Sequence, residues 1–324
     1  MKISIKNNFK NITIFCAICF MVLLTGCVNN TGTFKDNGKL NVITTIFPYY
    51  DFVRQVAGDK ANLRLVVPAG MDTHSFEPAA SDMIDIGNAD VIIYNGGEME
   101  LWASKVLEAA TNNNIITGKM MDYVDTFTEE DVTGLGKGHH HHEENEETEE
   151  IDEHIWTSPA NAVKIISKIA DILSEADKEN SGYYHNNASQ YIKKIKKLDS
   201  EFKKIASSSE KNYLIFADRF PLRYFVEEYG LDYNAAFAGC SSEMEPGADI
   251  IAFLIDKAKS ENIHVILKIE LTSSKVADAI AETAGAEVMT FNTCHNVTKK
   301  QFDSGITYYD LMKANADVLK KALE

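Results

Sequence analysis

Residues 180–206 carry one unbroken helical pattern. Tyr184, Tyr191, Ile192, Ile195, Leu198 and Phe202 recur at helical spacing, and many lysines fill the opposite, solvated face. At 1.5 Å per residue such a helix spans roughly 40 Å, the length of a strut between two domains. The chain is thereby divided, and what lies before and after the strut folds on either side of it.

Before it, residues 40–46, 63–67, 89–94 and 115–117 read as strands rich in β-branched residues. Helical patterns separate them at 48–57, 81–88 and around Glu100, Trp102 and Val106. Pro48 in a first turn and Gly58 just past a last turn are helix start and stop signals. Ser158 and Pro159 open a further helix through Val163, Ile165, Ile166, Ile169 and Leu173. After the strut, strands at 213–218, 233–237, 264–270 and 287–291 alternate with helices, one ending at Tyr229-Gly230 and others at 246–259, 274–284 and 307–323. Alternation of this kind predicts an α/β fold, with two lobes that each hold a mainly parallel sheet flanked by helices, joined by one long rigid helix. The expected boundaries are 1–26 for a leader and 27–39 for a tether. An N-terminal lobe follows at 40–178, including a His/acid-rich loop at 128–153, then the linking helix at 179–207 and a C-terminal lobe at 208–324. A cleft between the halves is the default ligand site.

The leader begins with Lys2, Lys6 and Lys10. An apolar run from Ile12 to Leu24 follows, of the length of a signal-peptide core and too short for a comfortable membrane span. It ends Leu24-Thr25-Gly26-Cys27, which resembles the lipobox of bacterial lipoproteins and makes Cys27 the expected lipidation site, on the extracellular face of the cell membrane. The polar residues 28–38 suit a tether. Removing residues 1–26 takes away three lysines and no acids, so the formal charge falls from −16 to −19. That balance argues against a nucleic-acid partner and fits an exported protein or one that handles cations. Cys16 and Cys19 leave with the leader. Cys240 and Cys294 remain, either as one disulfide or as two free thiols.

The chemistry concentrates at His139, His140, His141 and His142, followed by eight acids between Glu143 and Glu153 and then by His154. Imidazole and carboxylate are the side chains that hold divalent cations. Either this stretch is an inert solvated linker, or its histidines gather metal weakly above the cleft as an accessory loop.

Several segments together resemble the zinc/manganese-type solute-binding lipoproteins of bacterial ABC metal-uptake transporters, over residues 40–324. These are Met71-Asp72-Thr73-His74-Ser75-Phe76-Glu77-Pro78, Asn95-Gly96-Gly97 with Glu100 and Trp102, and Asp152-Glu153-His154-Ile155-Trp156-Thr157-Ser158-Pro159. Tyr224-Phe225, Tyr229-Gly230-Leu231 and Tyr308-Tyr309-Asp310-Leu311-Met312 with Asn315 extend the likeness. The His-rich acidic loop is typical of the zinc branch. The resemblance implies a monomeric, lipid-anchored binding protein that captures Zn²⁺ between two lobes and hands it to an ABC permease, with no reaction.

His74 and His154 fall on the first two ligand positions of that family. The third position, five residues before Tyr224-Phe225, is Arg219, which stays protonated and cannot ligate a cation. Asp218 beside it is either an oxygen ligand or an ion-pair partner of Arg219 or Arg223. His295 falls at or near the fourth position. Three imidazoles plus one oxygen suit Zn²⁺ better than Mn²⁺ or Fe²⁺, which call for more carboxylates. Glu243 or Glu245 is either the missing oxygen donor or a helix N-terminal charge. Cys240 and Cys294 are alternatively thiolate ligands. Glu270 is a candidate hydrogen-bond partner for a ligating His, and His185 and His264 are structural. An extracellular zinc hydrolase remains an alternative, although no His-Glu-x-x-His helix is present. A surface adhesin is compatible with the anchor.

Overall fold

The computed structural model describes residue 34 and residues 37–110, 112, 114–128, 151–237 and 246–324. The leader, Cys27, most of the tether, His139, His140, His141, His142, Cys240, Glu243 and Glu245 lie outside the described residues.

The first lobe alternates β1 (Leu40–Thr44), α1 (Phe47–Ala57), β2 (Ala61–Leu65), α2 (Ala80–Gly87), β3 (Val91–Tyr94), α3 (Leu101–Ala109) and β4 (Ile116–Lys119). Pro48 starts α1, whose buried face is Phe47, Tyr49, Phe52, Val53 and Val56, and Gly58 at φ 53° ends it. The sheet order is β2-β1-β3-β4, every pair parallel, with Leu40 opposite Ala61, Val42 opposite Val91 and Val91 opposite Ile116. α4 (Pro159–Ala176) follows, and Ser158 caps it by accepting the Asn161 N–H at 3.1 Å.

The strut forms as α5 (Ser181–Ser208), 28 residues long. Its buried residues are Tyr184, Ala188, Tyr191, Ile195, Leu198 and Phe202. Burying each of the larger of these contributes about 1.5–3 kcal/mol. The second lobe runs β5 (Tyr213–Phe216), α6 (Arg223–Tyr229), β6 (Asp232–Ala235), α7 (Ala248–Ser260), β7 (Val265–Lys268), α8 (Lys275–Ala284), β8 (Glu287–Thr290), α9 (Lys299–Asp303) and α10 (Tyr308–Ala322). Its sheet order, β6-β5-β7-β8, is again all parallel. Each sheet therefore reverses its winding direction at the centre, and ligands of such sheets bind beyond the carboxyl ends of the strands at that point.

Phe34–Glu324 is one compact unit. A single apolar cluster joins Val42, Phe52 and Trp156 of the first lobe, Ile195 and Phe202 of the strut, and Phe225, Phe291 and Tyr308 of the second. At its centre the buried Asp51 carboxylate accepts the Tyr191 hydroxyl and the Tyr308 N–H, each at 2.8 Å. Asp51 also holds Arg54, whose guanidinium reaches the Ile306 carbonyl at 2.6 Å. Helix α1, the strut and the last helix are thus tied at one charged knot.

Several limits depart from expectation, those of β2 and the presence of α9 most clearly. β2 begins and ends two residues early, because its limits follow its pairing with β1 from Leu40 onward. Val66 and Val67 still donate to Thr44 and Thr45 carbonyls at 2.9 and 3.1 Å, and both are buried in the turn that leaves the sheet. Helix α9 was not expected. Its signal is the capping box of Thr298 and Gln301, with Gln301 N–H to Thr298 Oγ1 at 3.2 Å and Thr298 N–H to Gln301 Oε1 at 2.9 Å.

Candidate metal centre

Three loops carry the site, one after β2, one before α4 and one after β8. In the first, residues 68–71 form a turn closed by the Met71 N–H on the Pro68 carbonyl at 3.1 Å. Gly70 sits at φ 87°, which the third position of a type II turn requires. Asp72 Oδ1 then accepts the His74 N–H at 2.9 Å, and Phe76 packs edge-on to Trp102 with 5.3 Å between ring centroids.

The second loop starts where Thr128 and Ile151 pair antiparallel, so the two described ends of the His/acid segment meet. Asp152 donates its N–H to the Phe127 carbonyl at 2.9 Å, and its own carbonyl accepts the Tyr224 hydroxyl at 2.6 Å. Its carboxylate Oδ1 takes the His154 N–H at 2.8 Å and faces His154 Nδ1 at 3.0 Å. A carboxylate accepts only, so Nδ1 is the protonated nitrogen and Nε2 keeps its lone pair for a cation. Glu153 turns the other way, accepting the Met99 N–H at 3.0 Å and that of Glu98. Burial holds its carboxyl above the usual range, against the pull of those two N–H groups and of His154 and His74.

In the third loop, Thr293 Oγ1 donates to Glu270 Oε1 at 2.6 Å and accepts the His295 N–H at 3.1 Å, while Thr293 N–H reaches Glu270 Oε2 at 2.7 Å. Trp156 Nε1 donates to the Thr293 carbonyl at 3.0 Å, joining the second loop to the third.

These loops bring three imidazoles into a triangle. Ring centroids are 6.0 Å apart for His74 and His154, 5.6 Å for His74 and His295, and 5.5 Å for His154 and His295. One ligand atom from each lies within 4.8 Å of the other two. His154 is buried, His295 half-buried and His74 exposed. Trp156 forms an apolar wall, 5.0 Å from the His295 ring and 5.4 Å from that of His154. His295 Nε2 is buried with no hydrogen-bond partner among the described residues. Burial, then the neighbouring His154, His74 and Arg219, push the His295 pKa well below the usual imidazole value. The ring is therefore neutral, the form that coordinates metal. A cavity of about 130 Å³ adjoins His74 and His295 and is lined also by Arg219, Pro221, Leu271 and Thr272.

A family model described as the periplasmic zinc-uptake complex component A, ZnuA, matches residues 42–322. The chain belongs to the ZnuA family. It is 34% identical to the high-affinity zinc uptake system protein ZnuA of Bacillus subtilis over 95% of each chain. It is 30% identical to the zinc-binding lipoprotein AdcA of Streptococcus pneumoniae, covering 97% of this chain and 61% of AdcA, so it spans less than two thirds of that relative. The metal-dependent lipoprotein YcdH of B. subtilis superposes with a TM-score of 0.74 at 32% identity, over 88% of this chain and 99% of that one. The Zn(II)-bound ZnuA-like domain of S. pneumoniae AdcA does so with a TM-score of 0.72 at 29% identity, again over 88% and 99%. ZnuA-family proteins are solute-binding proteins of zinc uptake rather than enzymes, and they work outside the cytoplasm with an ABC transporter.

Within this ZnuA-family frame, His74, His154 and His295 stand together, and Asp218 stands apart from them. Asp218 Oδ1 accepts the Arg219 N–H at 2.9 Å, and Oδ2 accepts the Ile269 N–H at 3.2 Å and the Thr272 hydroxyl. Placed at the end of β5, it closes the 269–272 turn instead of facing the imidazoles, and its expected role as a ligand does not fit. Arg219, at the family's usual ligand position, points its guanidinium to Asp72 Oδ2 at 3.7 Å. Glu270 holds the His295 loop through Thr293, not through the imidazole. Cys294 is a fully buried free cysteine at φ 61°, outside the histidine group; its partner in the expected disulfide, Cys240, lies outside the described residues. The imidazoles of His185 and His264 lie apart from the three and hydrogen-bond to Ser174 at 3.3 Å and to Asn262 at 3.1 Å. The contributions of Asp152, Trp156 and Asn296 were missed. The Asp-x-His spacing at 152–154 was a usable signal for the first, whereas the other two act across the cleft and left none.

Proposed function

We propose that this chain captures one Zn²⁺ at His74, His154 and His295 and delivers it to an ABC permease as a monomeric lipoprotein anchored through Cys27. The observation that carries the reading is the convergence of three imidazoles from three separate loops, with ligand atoms within 4.8 Å of one another. Neutral imidazole nitrogens reach zinc at roughly 2.0–2.1 Å, and a three-imidazole set favours zinc over manganese. The carboxylate of Asp152 presets one ring, and the wall of Trp156 keeps bulk water from two. Membership of the ZnuA family supports both the cargo and the partner. The Leu24-Thr25-Gly26-Cys27 sequence supports the anchor, as does the description of AdcA as a lipoprotein.

Calorimetry should find one tight zinc site, lost in His74→Ala, in His154→Ala and in His295→Ala. Wild-type affinity in all three variants would sink the assignment. The anchor is read separately. Cys27→Ala should abolish fatty-acid labelling and move the protein from the detergent phase to the aqueous phase, and labelling that survived would remove Cys27 as the site.

A further inference from the structure

We propose that Asn296 is a positioning residue for this centre, a cross-lobe latch that holds the His74 loop in place and sets how fast the cation leaves. Its side chain is 5% exposed. Nδ2 donates to two carbonyls of the opposite lobe, Pro68 O at 2.9 Å and Met71 O at 2.8 Å. Oδ1 accepts the N–H of Val297 at 2.8 Å. Only one orientation of the amide satisfies all three contacts, since a flip would set its oxygen against two carbonyls.

Pro68 and Met71 are the first and last residues of the turn whose own hydrogen bond and positive-φ Gly70 were described above. The latch therefore grips the turn at both ends. The next residue, Asp72, fixes the His74 backbone. A rigid path of four residues thus runs from the latch to the imidazole. Asn296 directly follows His295, and two residues before His295 the Thr293 carbonyl receives Trp156. The loop after β8 consequently holds both other histidine-bearing loops, with Trp156 for His154 and Asn296 for His74. His74 is the exposed member of the three, so a cation departing to solvent passes it, and freeing its turn is the step that opens the site.

This inference rests on the zinc reading, and its test separates the two. The full chain in detergent micelles is loaded with zinc and mixed with excess chelator in a stopped-flow instrument. Asn296→Asp keeps the shape of the side chain but removes the donor. Loss of two ordinary hydrogen bonds predicts release about 30-fold faster. Gly70→Ala attacks the same turn from the other lobe, by strain at φ 87° with no neighbour within 4 Å to clash, and should also speed release. Asn187→Asp removes a comparable amide donor on the strut, Nδ2 to the Val56 carbonyl at 3.0 Å, and should change release by less than about twofold. A general structural defect would speed release in that variant as well. Wild-type release rates in both Asn296→Asp and Gly70→Ala overturn the latch, as does an Asn187→Asp chain that releases zinc as fast as Asn296→Asp. A wild-type chain that retains no zinc overturns the zinc reading itself.

Discussion

Replacing Asp152 by asparagine tests how the most buried histidine is aimed. Asp152 Oδ1 faces both the backbone N–H and the Nδ1 of His154, at 2.8 and 3.0 Å, in a pocket where both side chains are almost wholly buried. The amide of Asp152→Asn would keep an oxygen of the same size but lose the charge that makes the imidazole a stronger donor to the cation. Partners of this kind are worth about 10–100-fold in metal affinity, or about 1.4–3 kcal/mol. Asparagine should fall near the lower figure. Asp152→Ala should fall near the upper one, because it also leaves Nδ1–H buried without an acceptor. The assay is competition for zinc with a chromophoric chelator, alongside the melting temperature of the metal-free protein. Affinity should drop in the order wild type, Asp152→Asn, Asp152→Ala. Unchanged affinity in the alanine variant would refute the orienting role, and so would equal losses that simply follow the fraction unfolded.

Two further outcomes are expected. Burial pushes Glu100 from the usual 4.5 up to about 7, against hydrogen bonds from the Asn95 and Gly96 N–H groups. The folded state thus keeps a proton that the unfolded chain loses, so this group's stabilising contribution is complete below pH 4.5 and is lost as pH rises towards about 7, a change of about 3 kcal/mol; urea midpoints measured from about pH 4.5 to 8 should fall less in Glu100→Gln than in wild type, and equal slopes would contradict the account. Deleting residues 138–150 should leave tight zinc binding intact and lower total zinc stoichiometry, since Thr128–Ile151 pairing and the Tyr224 bond hold His154 from outside the deleted stretch; loss of the tight site in calorimetry would overturn that division of roles.

Much of the framework was legible from local pattern. The inner face of the strut, the alternation of strands and helices, and the start signals at Ser158-Pro159 depend on neighbours within a few residues, and they reappear as drawn. Strand limits were less legible, as β2 shows, because a strand ends where its partner stops pairing. At the site, three histidines could be named from a family likeness, but the oxygen donor could not. Asp218 looked free to ligate until the fold set the 269–272 turn against it.

The sequence by itself determined the architecture and the type of donor. It specified two parallel α/β lobes on either side of one helix, with imidazole as the group most available to a cation. Only the tertiary structure decided which imidazoles meet and what holds them. His74 and His295 lie more than two hundred residues apart, and their meeting depends on the carboxyl ends of two sheets facing across one core. The clamps across that gap are three hydrogen bonds to backbone carbonyls, one from Trp156 and two from Asn296. A carbonyl is offered by every residue and so leaves no trace in the sequence, which is why those two residues become visible only once the chain is folded.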